Sequence, residues 1–393
     1  MKKKLIFICW LSIVSIYAAA QTTRPAVLVI GNSNAAAAAG IQAAISGVKT
    51  IILLQAGGFD ISPIKDEMSS GVQAEFIEKM KRVKGKDSSA ILDFDKQTAN
   101  NLLSTWTDTL KNLTIIKNVT WIKAERSGNN WVFKLSDGKI IKPTILINAG
   151  DAKLQAALKL EAIPVVALTP VDYRNTLYRT SVSADKTFFF SMYNFFIPGQ
   201  ENLLWLKGNE SMLIGQAAGA TAAYSGFFSI KTSLSNLKSI QGELVNYKLA
   251  LMPFVDIKLN DPNWKAIQMV GITGVIEGET DNNGIRFLPE KLITTDEIKA
   301  PLKAFYYKAQ IWFDDYKNSQ MTIGSAIDMI CYVGNKAVDN TPKEIAKKWK
   351  SAYKFNTDFD VNRQITRREL AVLLQDYMPP FNVNIDKTGK VVR

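Results

Sequence analysis

Unbroken runs of apolar residues divide the first half of the chain into short segments. Residues 24–30 continue after Pro25 as AVLVI, residues 50–54 read TIILL and residues 144–148 read TILIN. Apolar runs of this length, bounded by glycine or polar residues, predict parallel strands that are buried on both faces. Residues 35–46 are rich in alanine, and Gly47 stands where a helix typically ends. The pattern predicts a strand–turn–helix–strand unit of about 30 residues, the size of a βαβ unit.

The next part of the chain alternates between helical and strand-like patterns. Residues 60–112 are mainly amphipathic and predict helices, with polar breaks near residues 84–89. Asp137-Gly138 is a hairpin turn signal, because glycine accepts a positive φ. A helix is predicted to begin with residues 215–224. Short strands are predicted at residues 113–116, 119–126, 131–135, 139–141, 187–193 and 202–206.

From about residue 250 the pattern changes to amphipathic helices and loops, so we expect a domain boundary near residues 251–253. Thr294 is followed three residues later by Glu297, and Thr366 by Glu369. Each pair predicts a capping box, in which hydroxyl and carboxylate satisfy free N–H groups at a helix start. The whole pattern predicts an α/β Rossmann-like domain with a β-meander, followed by a mainly helical C-terminal domain.

Residues 1–20 have the features of a secretory signal peptide. Lys2–Lys4 precede an apolar run over 5–17, and three alanines at 18–20 suit a signal peptidase. A retained membrane anchor is the alternative, although a spanning helix needs about 20 apolar residues. No later segment is long and apolar enough to span a bilayer. We therefore expect a periplasmic or secreted protein.

The composition is that of a globular protein, with 393 residues, 47% hydrophobic and 21% charged. The formal net charge is +12, and the densest basic cluster is Lys79, Lys81, Arg82, Lys84 and Lys86. A solvated helix face accounts for such a cluster, with a polyanion site as the alternative. Export argues against nucleic acid as a partner.

The chain contains no histidine, and Cys331 is the only cysteine outside the signal segment. An internal disulfide is therefore excluded for the exported chain. Ser-His-Asp hydrolysis, Cys-His proteolysis and histidine-rich zinc sites are excluded as well. Acid–base chemistry would need Asp, Glu, Lys, Tyr or a cofactor, and no catalytic side chain can be named.

The turn after the first predicted strand partly matches the dinucleotide pattern G-x-G-x-x-G. Gly31, Ser33 and Ala36 occupy its three glycine positions, and Gly40 follows as a small residue. The pattern serves phosphates that approach backbone N–H groups at a helix start. Gln55 stands where an acidic residue typically binds the ribose hydroxyls. A neutral carboxamide binds more weakly there, because charge-assisted hydrogen bonds are the stronger ones.

Three further segments make the chain resemble FAD-dependent oxidoreductases with the glutathione-reductase type of FAD fold. LSDGKIIKPTILINAGD resembles a hairpin and strand ending in A-T-G-D, NLLWLKGNES a strand before a G-R turn, and GQAAGATAA a helix that approaches the flavin. Exported bacterial members of this family are often labelled xanthan lyases. The resemblance covers residues 25–225. It implies FAD contacts at Gly31, Ser33, Asn34, Ala36, Gln55, Val119, Gly150, Asp151, Gly208, Gly215, Gln216, Ala217, Ala218 and Gly219.

Several positions depart from the family pattern. Ser33 and Gln55 replace a glycine and an acidic residue, and Asn209 replaces the arginine of the G-R turn. Residues 152–200 are shorter than the substrate domain that the family carries there. An exported FAD-dependent oxidoreductase over residues 21–250, acting on a small molecule or carbohydrate, is therefore one hypothesis. A catalytically inactive scaffold of the same fold, or a glycan-binding protein, is the second, and a polysaccharide lyase the third.

Residues 256–303 resemble a surface-layer homology module, and residues around Thr366 resemble a second, diverged copy. Trp264, Ile267 and Val270 fall on one helix face. The resemblance implies binding to cell-surface polysaccharide through residues 251–393. A helical domain that only packs on the α/β domain is the alternative. Asp256 and Asp261 are expected to be turn residues rather than a metal pair, and no metal site is predicted.

Overall fold

The computed structural model describes residues 21–64, 69–84, 94–161, 178–184, 189–208 and 211–392. The predicted signal peptide, Lys86 and Asn209 lie outside the described residues. Within the described residues, no helix has the length and apolar character to cross a membrane.

The described strands are β1 (Thr22–Thr23), β2 (Val27–Ile30), β3 (Thr50–Leu53), β4 (Leu113–Ile116), β5 (Trp121–Ser127), β6 (Asn130–Leu135), β7 (Ile140–Ile141), β8 (Ile145–Asn148), β9 (Ser181–Ala184), β10 (Phe189–Ser191), β11 (Phe196–Ile197), β12 (Gln200–Trp205), β13 (Glu279–Asp281) and β14 (Gly284–Arg286). The described helices are α1 (Asn34–Ile45), α2 (Gly71–Lys84), α3 (Lys96–Asp108), α4 (Ala152–Ala157), α5 (Met212–Phe228), α6 (Leu237–Asn246), α7 (Trp264–Gly271), α8 (Thr295–Phe305), α9 (Tyr307–Asp315), α10 (Ile323–Val333), α11 (Thr341–Ser351) and α12 (Arg367–Tyr377).

A six-stranded sheet with the order β11-β12-β8-β2-β3-β4 forms the centre of the α/β part. Its strands pair in parallel except for the edge pair β11–β12. Numbered by their appearance in the chain, its five parallel strands have the order 3-2-1-4-5, as in Rossmann domains. The chain thus runs outward through β3 and β4, and then returns to the other side of β2. The predicted α/β Rossmann-like fold is confirmed.

The two faces of this sheet are covered by different elements. Leu28 and Ile30 of β2 pack with Trp131 and Phe133 of the meander, and with Leu154 of α4. The alternate residues of β2 pack with the alanine-rich helix α1 and with α5. Because both faces are covered, all four residues of β2 are fully buried. This explains why the apolar run is unbroken rather than alternating.

Some predicted boundaries shift in the structure. The 60–112 region contains only α2 and α3 as described helices, and residues 54–64 form a non-helical stretch. The second meander strand begins at Trp121 rather than at Val119. Within predicted strand 187–193, β10 ends at Ser191, whose hydroxyl caps a short 3₁₀ turn by accepting from the Tyr193 N–H.

The C-terminal part contains three similar helix starts arranged in a ring. Isolated bridges join Leu292 to Thr366, Thr294 to Gln320, and Thr322 to Gln364. Helices α8, α10 and α12 begin directly after these segments, and each has a capping box at its start. Ile293, Met321 and Ile365, which stand next to the bridged residues in the three segments, are fully buried. Both predicted capping boxes are confirmed.

The α/β part and the C-terminal part share one hydrophobic core. The carboxamide of Gln268 in α7 accepts from the N–H groups of Leu251 and Met252, at 2.9 and 2.7 Å. The Arg179 guanidinium donates to the carbonyls of Thr273 and Gly389, at 3.0 and 3.1 Å. Residues 251–253, where the sequence predicts a boundary, therefore lie in a buried connection between the two parts.

Candidate functional site

The predicted dinucleotide-binding residues that lie in turns after strands converge on the carboxyl edge of the parallel sheet. The turn at Gly31 follows β2, Gln55 follows β3, Val119 follows β4, Gly150 follows β8, and Gly208 follows β12. After β2 the chain goes to one side of the sheet for β3 and β4, and to the other for β8 and β12. Ligands of open α/β sheets bind at such a switch point, so this edge is the candidate site.

Gly31 makes the tight turn at the switch point. Its φ is +144°, and a Cβ atom added there would lie 2.4 Å from the carbonyl oxygen of Ala149. A larger residue would therefore separate the ends of β2 and β8. The Cβ of a residue replacing Gly40 would meet the side chain of Ile52 at 2.2 Å. Gly40 thus serves the packing of α1 on β3.

The start of helix α1 offers free amide groups. The Ser33 hydroxyl caps the helix by accepting from the Ala36 N–H at 3.4 Å, and the first turn has no acidic residue. Within the described part of the chain, the N–H groups of Ser33, Asn34 and Ala35 have no hydrogen-bond partner. The Asn34 side chain is buried and bonds the backbone of Ser62 through both its carboxamide atoms, at 3.0 and 2.9 Å. Three amide donors therefore remain for an anion.

Asp151 connects three elements at this edge. Its carboxylate accepts from the Gln55 Nε2 at 2.5 Å, from the Trp121 indole N–H at 3.0 Å, and from the Leu154 N–H at 2.7 Å as the cap of α4. The Lys153 ammonium lies 4.1 Å from the centre of the Trp121 ring and donates to the backbone carbonyl of Trp121. Gln55, which was predicted to bind the ribose, is therefore bonded to Asp151, which was also predicted to contact the cofactor.

Asn148, fully buried at the end of β8, shapes the turn that carries Asp151. Its carboxamide oxygen accepts from the N–H groups of Gly150 and Asp151, at 3.2 and 2.8 Å. Gly150 has a φ of +107°, and open space surrounds its missing Cβ. The asparagine of N-A-G-D is thus a structural residue, and the glycine leaves the turn accessible.

The small residues of α5 pack against α1. A Cβ atom on Gly215 would lie 2.2 Å from the carbonyl oxygen of Ala35, and one on Gly219 would lie 2.3 Å from that of Ala39. Ala217 and Ala218, between these glycines, are also fully buried. The sequence left two explanations open for this stretch, and the close approach of the two helices accounts for both glycines.

Gln216 belongs to an internal hydrogen-bond network. Its carboxamide accepts from the Val72 N–H at 2.9 Å and donates to Gln42 at 2.8 Å. Gln42 in turn donates to the Ser46 hydroxyl, which donates to Glu243. Gln216 is fully buried, and its polar atoms are used inside the protein rather than presented to a ligand.

The turn after β12 is exposed at Gly208, which has a φ of +74°. Burial lowers the pKa of the neighbouring Lys207. Val119, half-buried, lies in the loop between β4 and β5. These residues border the candidate site without closing it.

The resemblance implies FAD, so the edge can be tested against the parts of that cofactor. The three free amides of α1 suit its phosphates. Gln55, at the position predicted to contact the ribose, already donates through its Nε2 to Asp151, and the backbone of α1 fills the space beside Gly215 and Gly219. The donor set therefore fits the phosphates but does not fit FAD as a whole, and we derive no redox step at this edge.

A second site is a groove of about 210 Å³ in the C-terminal part. The Arg368 guanidinium on α12 donates through Nη1 to both carboxylate oxygens of Asp261, at 2.7 and 2.9 Å. Its Nε donates to the Glu290 carboxylate at 2.7 Å. Burial lowers the pKa of Arg368, but its hydrogen bonds to Asp261 and Glu290 outweigh this, and the net shift is upward. The groove is lined by Asp261, Pro262, Asn263, Glu290, Lys354, Phe355, Asn356, Thr357, Arg368 and Glu369.

The two aspartates considered as a metal pair have turn and packing roles. Asp256 accepts from the N–H groups of Phe287 and Leu288, at 2.8 and 2.7 Å. Asp261 accepts from the Asn263 N–H at 2.8 Å and pairs with Arg368. In the ranges that the structure describes, no cluster of three or more acidic, cysteine or histidine side chains could hold a metal ion.

The sequence reasoning missed the middle member of the C-terminal ring. Thr322 and Ser325 form its capping box, with the Thr322 N–H donating to the Ser325 hydroxyl at 2.8 Å. The signal is present as MTIGSA at residues 321–326, parallel to ITTDEI and ITRREL. It is weak because serine replaces the acidic residue of the other two copies.

A comparison with protein-family models gives no match, and a comparison with curated proteins gives none. Among solved structures, p-nitrophenol 4-monooxygenase PnpA from Pseudomonas putida DLL-E4 is 10% identical with a TM-score of 0.27, covering 38% of this chain and 45% of that chain. The flavin-dependent monooxygenase PieE is 13% identical with a TM-score of 0.29, covering 39% and 34%. GidA from Aquifex aeolicus is 16% identical with a TM-score of 0.24, covering 32% and 26%.

The chain thus spans less than half the length of each of these structures. Likenesses at such TM-scores carry no argument about activity, and they do not support a lyase. The strand order and the meander define the class of protein, an α/β Rossmann-like fold of the FAD/NAD(P)-binding type. The fold alone does not fix the function, which has to be argued from the sites.

Proposed function

We propose that this chain is a cell-surface polysaccharide-binding protein that keeps a flavin-type Rossmann fold as a scaffold. One observation carries the scaffold part of the proposal. Asp151, at the switch point, is bonded to Gln55, to Trp121 and to the start of α4. A ribose that replaced the Gln55 contact would leave the position with fewer internal bonds. Gln55 and Asp151 therefore serve the internal bonding of the fold in this proposal, and not the binding of a ligand.

The groove at Asp261 supports the polysaccharide part of the proposal. Its carboxylates, guanidinium and carboxamides offer both donors and acceptors, as sugar hydroxyls require. Arg368 is held by two carboxylates, so the polar groups are ordered before a ligand binds. Ordered polar groups reduce the conformational entropy that binding costs. We propose that a polysaccharide end or branch occupies this groove.

Retention of the full mature chain on purified cell-wall polysaccharide tests this function. D261N removes a groove charge, and K354A removes an exposed lining side chain without disturbing the Arg368 pairs. Each is expected to weaken retention about tenfold, the effect of losing roughly 1.4 kcal/mol. D358N is the matched control, since Asp358 is almost fully exposed and lies outside the groove.

Two outcomes would overturn the polysaccharide assignment. One is a wild-type chain that does not bind the polysaccharide. The other is retention of D261N and K354A equal to that of D358N, with all three folded by their thermal transitions.

Export belongs to the same proposal. The lysines, apolar run and alanines of residues 1–20 support removal of a signal peptide before Gln21. Mass spectrometry of the N-terminal peptide, on protein recovered from outside the cytoplasm, would test whether the chain begins at Gln21.

FAD binding is the second candidate, because the N–H groups of Ser33, Asn34 and Ala35 are free within the described part of the chain. A helix start with free amides attracts phosphate. Because the Gln55 Nε2 already donates to Asp151 and the side chain is neutral, we expect the ribose contact to add little and FAD binding to be weak.

A further inference from the structure

The amino edge of the parallel sheet carries a surface that the proposed function does not use. Two cavities of about 530 and 680 Å³ adjoin there, and both are lined by Ser127, Asn130 and Thr144. The first extends beneath the starts of β2 and β3, and the second extends to the segment after α5. Together they form a continuous trough, here called the amino-edge trough.

The amino-edge trough is positively charged. Arg24, Lys49 and Lys142 line its first cavity and Lys231 its second, while no described acidic residue lines either. Within the described ranges, none of these four cations forms a salt bridge. Unpaired cations around a concave surface concentrate the positive potential there.

Glu201 is a carboxylate that interacts with one of these cations, Lys231, but it does not line either cavity. It accepts from the Ser233 hydroxyl at 2.7 Å, from the Ser233 N–H at 3.2 Å and from the Thr232 hydroxyl at 3.3 Å. Glu201 therefore holds the segment that carries Lys231, and it offsets part of the charge of that lysine.

Exposed apolar side chains border the second cavity. Phe227 and Phe228 at the end of α5 are 66% and 56% exposed, and Leu234 is 66% exposed. The rings of Phe227 and Phe228 lie 5.1 Å apart, and Tyr224 extends the group at 4.8 Å from Phe228. Leu234 lines the cavity itself. Large apolar side chains grouped on a surface mark an interaction site more often than single ones do.

We propose that the amino-edge trough and its aromatic border bind the surface of an anionic lipid bilayer. Phe227, Phe228 and Leu234 would enter the boundary between headgroups and acyl chains. Lys49 and Lys142 would lie among the lipid phosphates. Charge complementarity favours an anionic surface, and the exposed rings favour a bilayer over a soluble polyanion, which offers no apolar phase. The surface lies at the opposite edge of the sheet from the switch point.

Sedimentation of the full mature chain with lipid vesicles tests this proposal. We expect binding to vesicles of phosphatidylcholine mixed with phosphatidylglycerol, and much weaker binding to phosphatidylcholine alone. K49E/K142E should lower the partition coefficient at least about tenfold, given the usual contribution of each basic residue near such a surface. F227S/F228S should lower it by a similar factor without changing the net charge.

K96E/K117E is the comparison variant, because it changes the net charge by the same amount at residues near the carboxyl edge, where Lys96 pairs with Asp60. This variant should lower the partition coefficient by a factor several times smaller than the factor for K49E/K142E. The proposal fails if the wild-type chain does not sediment with anionic vesicles, or if the control loses as much binding. It also fails if F227S/F228S binds like the wild type while a soluble acidic polysaccharide displaces the protein, since the surface would then bind polyanions.

Discussion

Lys238 on α6 lies where the α/β part meets the C-terminal part. Its side chain is half-buried, and its ammonium lies 4.9 Å from the centre of the Phe381 ring. Burial, together with the nearby charge of Arg179, lowers the pKa of Lys238 to about 7. An unfolded lysine titrates near pH 10.4, at about its ordinary value.

This pKa difference predicts a pH-dependent stability. Between about pH 7 and roughly pH 10.4 the unfolded chain binds one more proton at Lys238 than the native chain does. The free energy of unfolding should therefore rise with pH through this window, and the cost of the buried charge should be complete below pH 7. We expect K238M to be more stable than the wild type at pH 6 and to lose part of this rise.

Urea midpoints at pH 6 and pH 9 measure this effect. K117M serves as the control, because Lys117 is exposed and its ammonium donates to the Ser104 hydroxyl at the surface. An identical rise with pH in the wild type, K238M and K117M would show that Lys238 does not carry the pH dependence.

Sequence reasoning at the scale of single residues succeeded where one position decides the conformation. Gly31 was predicted to make the tight turn, and its positive φ and contact with Ala149 confirm this. Gln55 was recognised as a departure from the dinucleotide pattern. Its bond to Asp151 could not be predicted, because it joins residues 96 positions apart whose proximity depends on the strand order.

At the scale of elements, the contact between α1 and α5 predicts which glycines cannot change. In G219A the new Cβ would lie 2.3 Å from the backbone carbonyl of Ala39, so the helices would have to separate. We expect a loss of about 1–3 kcal/mol of unfolding free energy, the usual cost of overpacking a core. Chemical denaturation of the purified variant measures it.

Gly242 on α6 provides the matched control for this substitution. The nearest atom to a Cβ added there belongs to the Phe381 ring, at 3.9 Å. G242A should therefore raise stability by about 0.5–1 kcal/mol, since alanine suits a helix better than glycine. If G219A were as stable as G242A, the small residues of α5 would not serve helix packing.

The capping boxes show which helix starts can be predicted from a local sequence pattern. The boxes at Thr294 and Thr366 were readable, because a hydroxyl and a carboxylate stand three residues apart before an apolar helix. The box at Thr322 uses Ser325 and was missed. The ring formed by the three helix starts depends on bridges between distant segments, and no local pattern encodes them.

At the scale of the whole molecule, the sequence predicted the class of fold because buried parallel strands need unbroken apolar runs. It did not predict that both parts share one core, since amphipathic helices leave open which surface they cover. The predicted cofactor residues in the turns after the parallel strands converge on one edge, whereas those of α5 are buried against α1. The hydrogen bonds of Gln55 and Trp121 to Asp151, which the residue types alone do not predict, determine which polar groups at that edge remain for a ligand.

We propose that the carboxyl edge of the sheet supports the fold and does not hold FAD. The most direct test is the visible spectrum of the purified mature chain, before and after incubation with excess FAD and removal of the free cofactor. We predict a colourless protein without the flavin band at about 450 nm, which a flavoprotein using the cofactor as its redox centre would show. Retention of one FAD per chain after this treatment would show that the edge holds the cofactor.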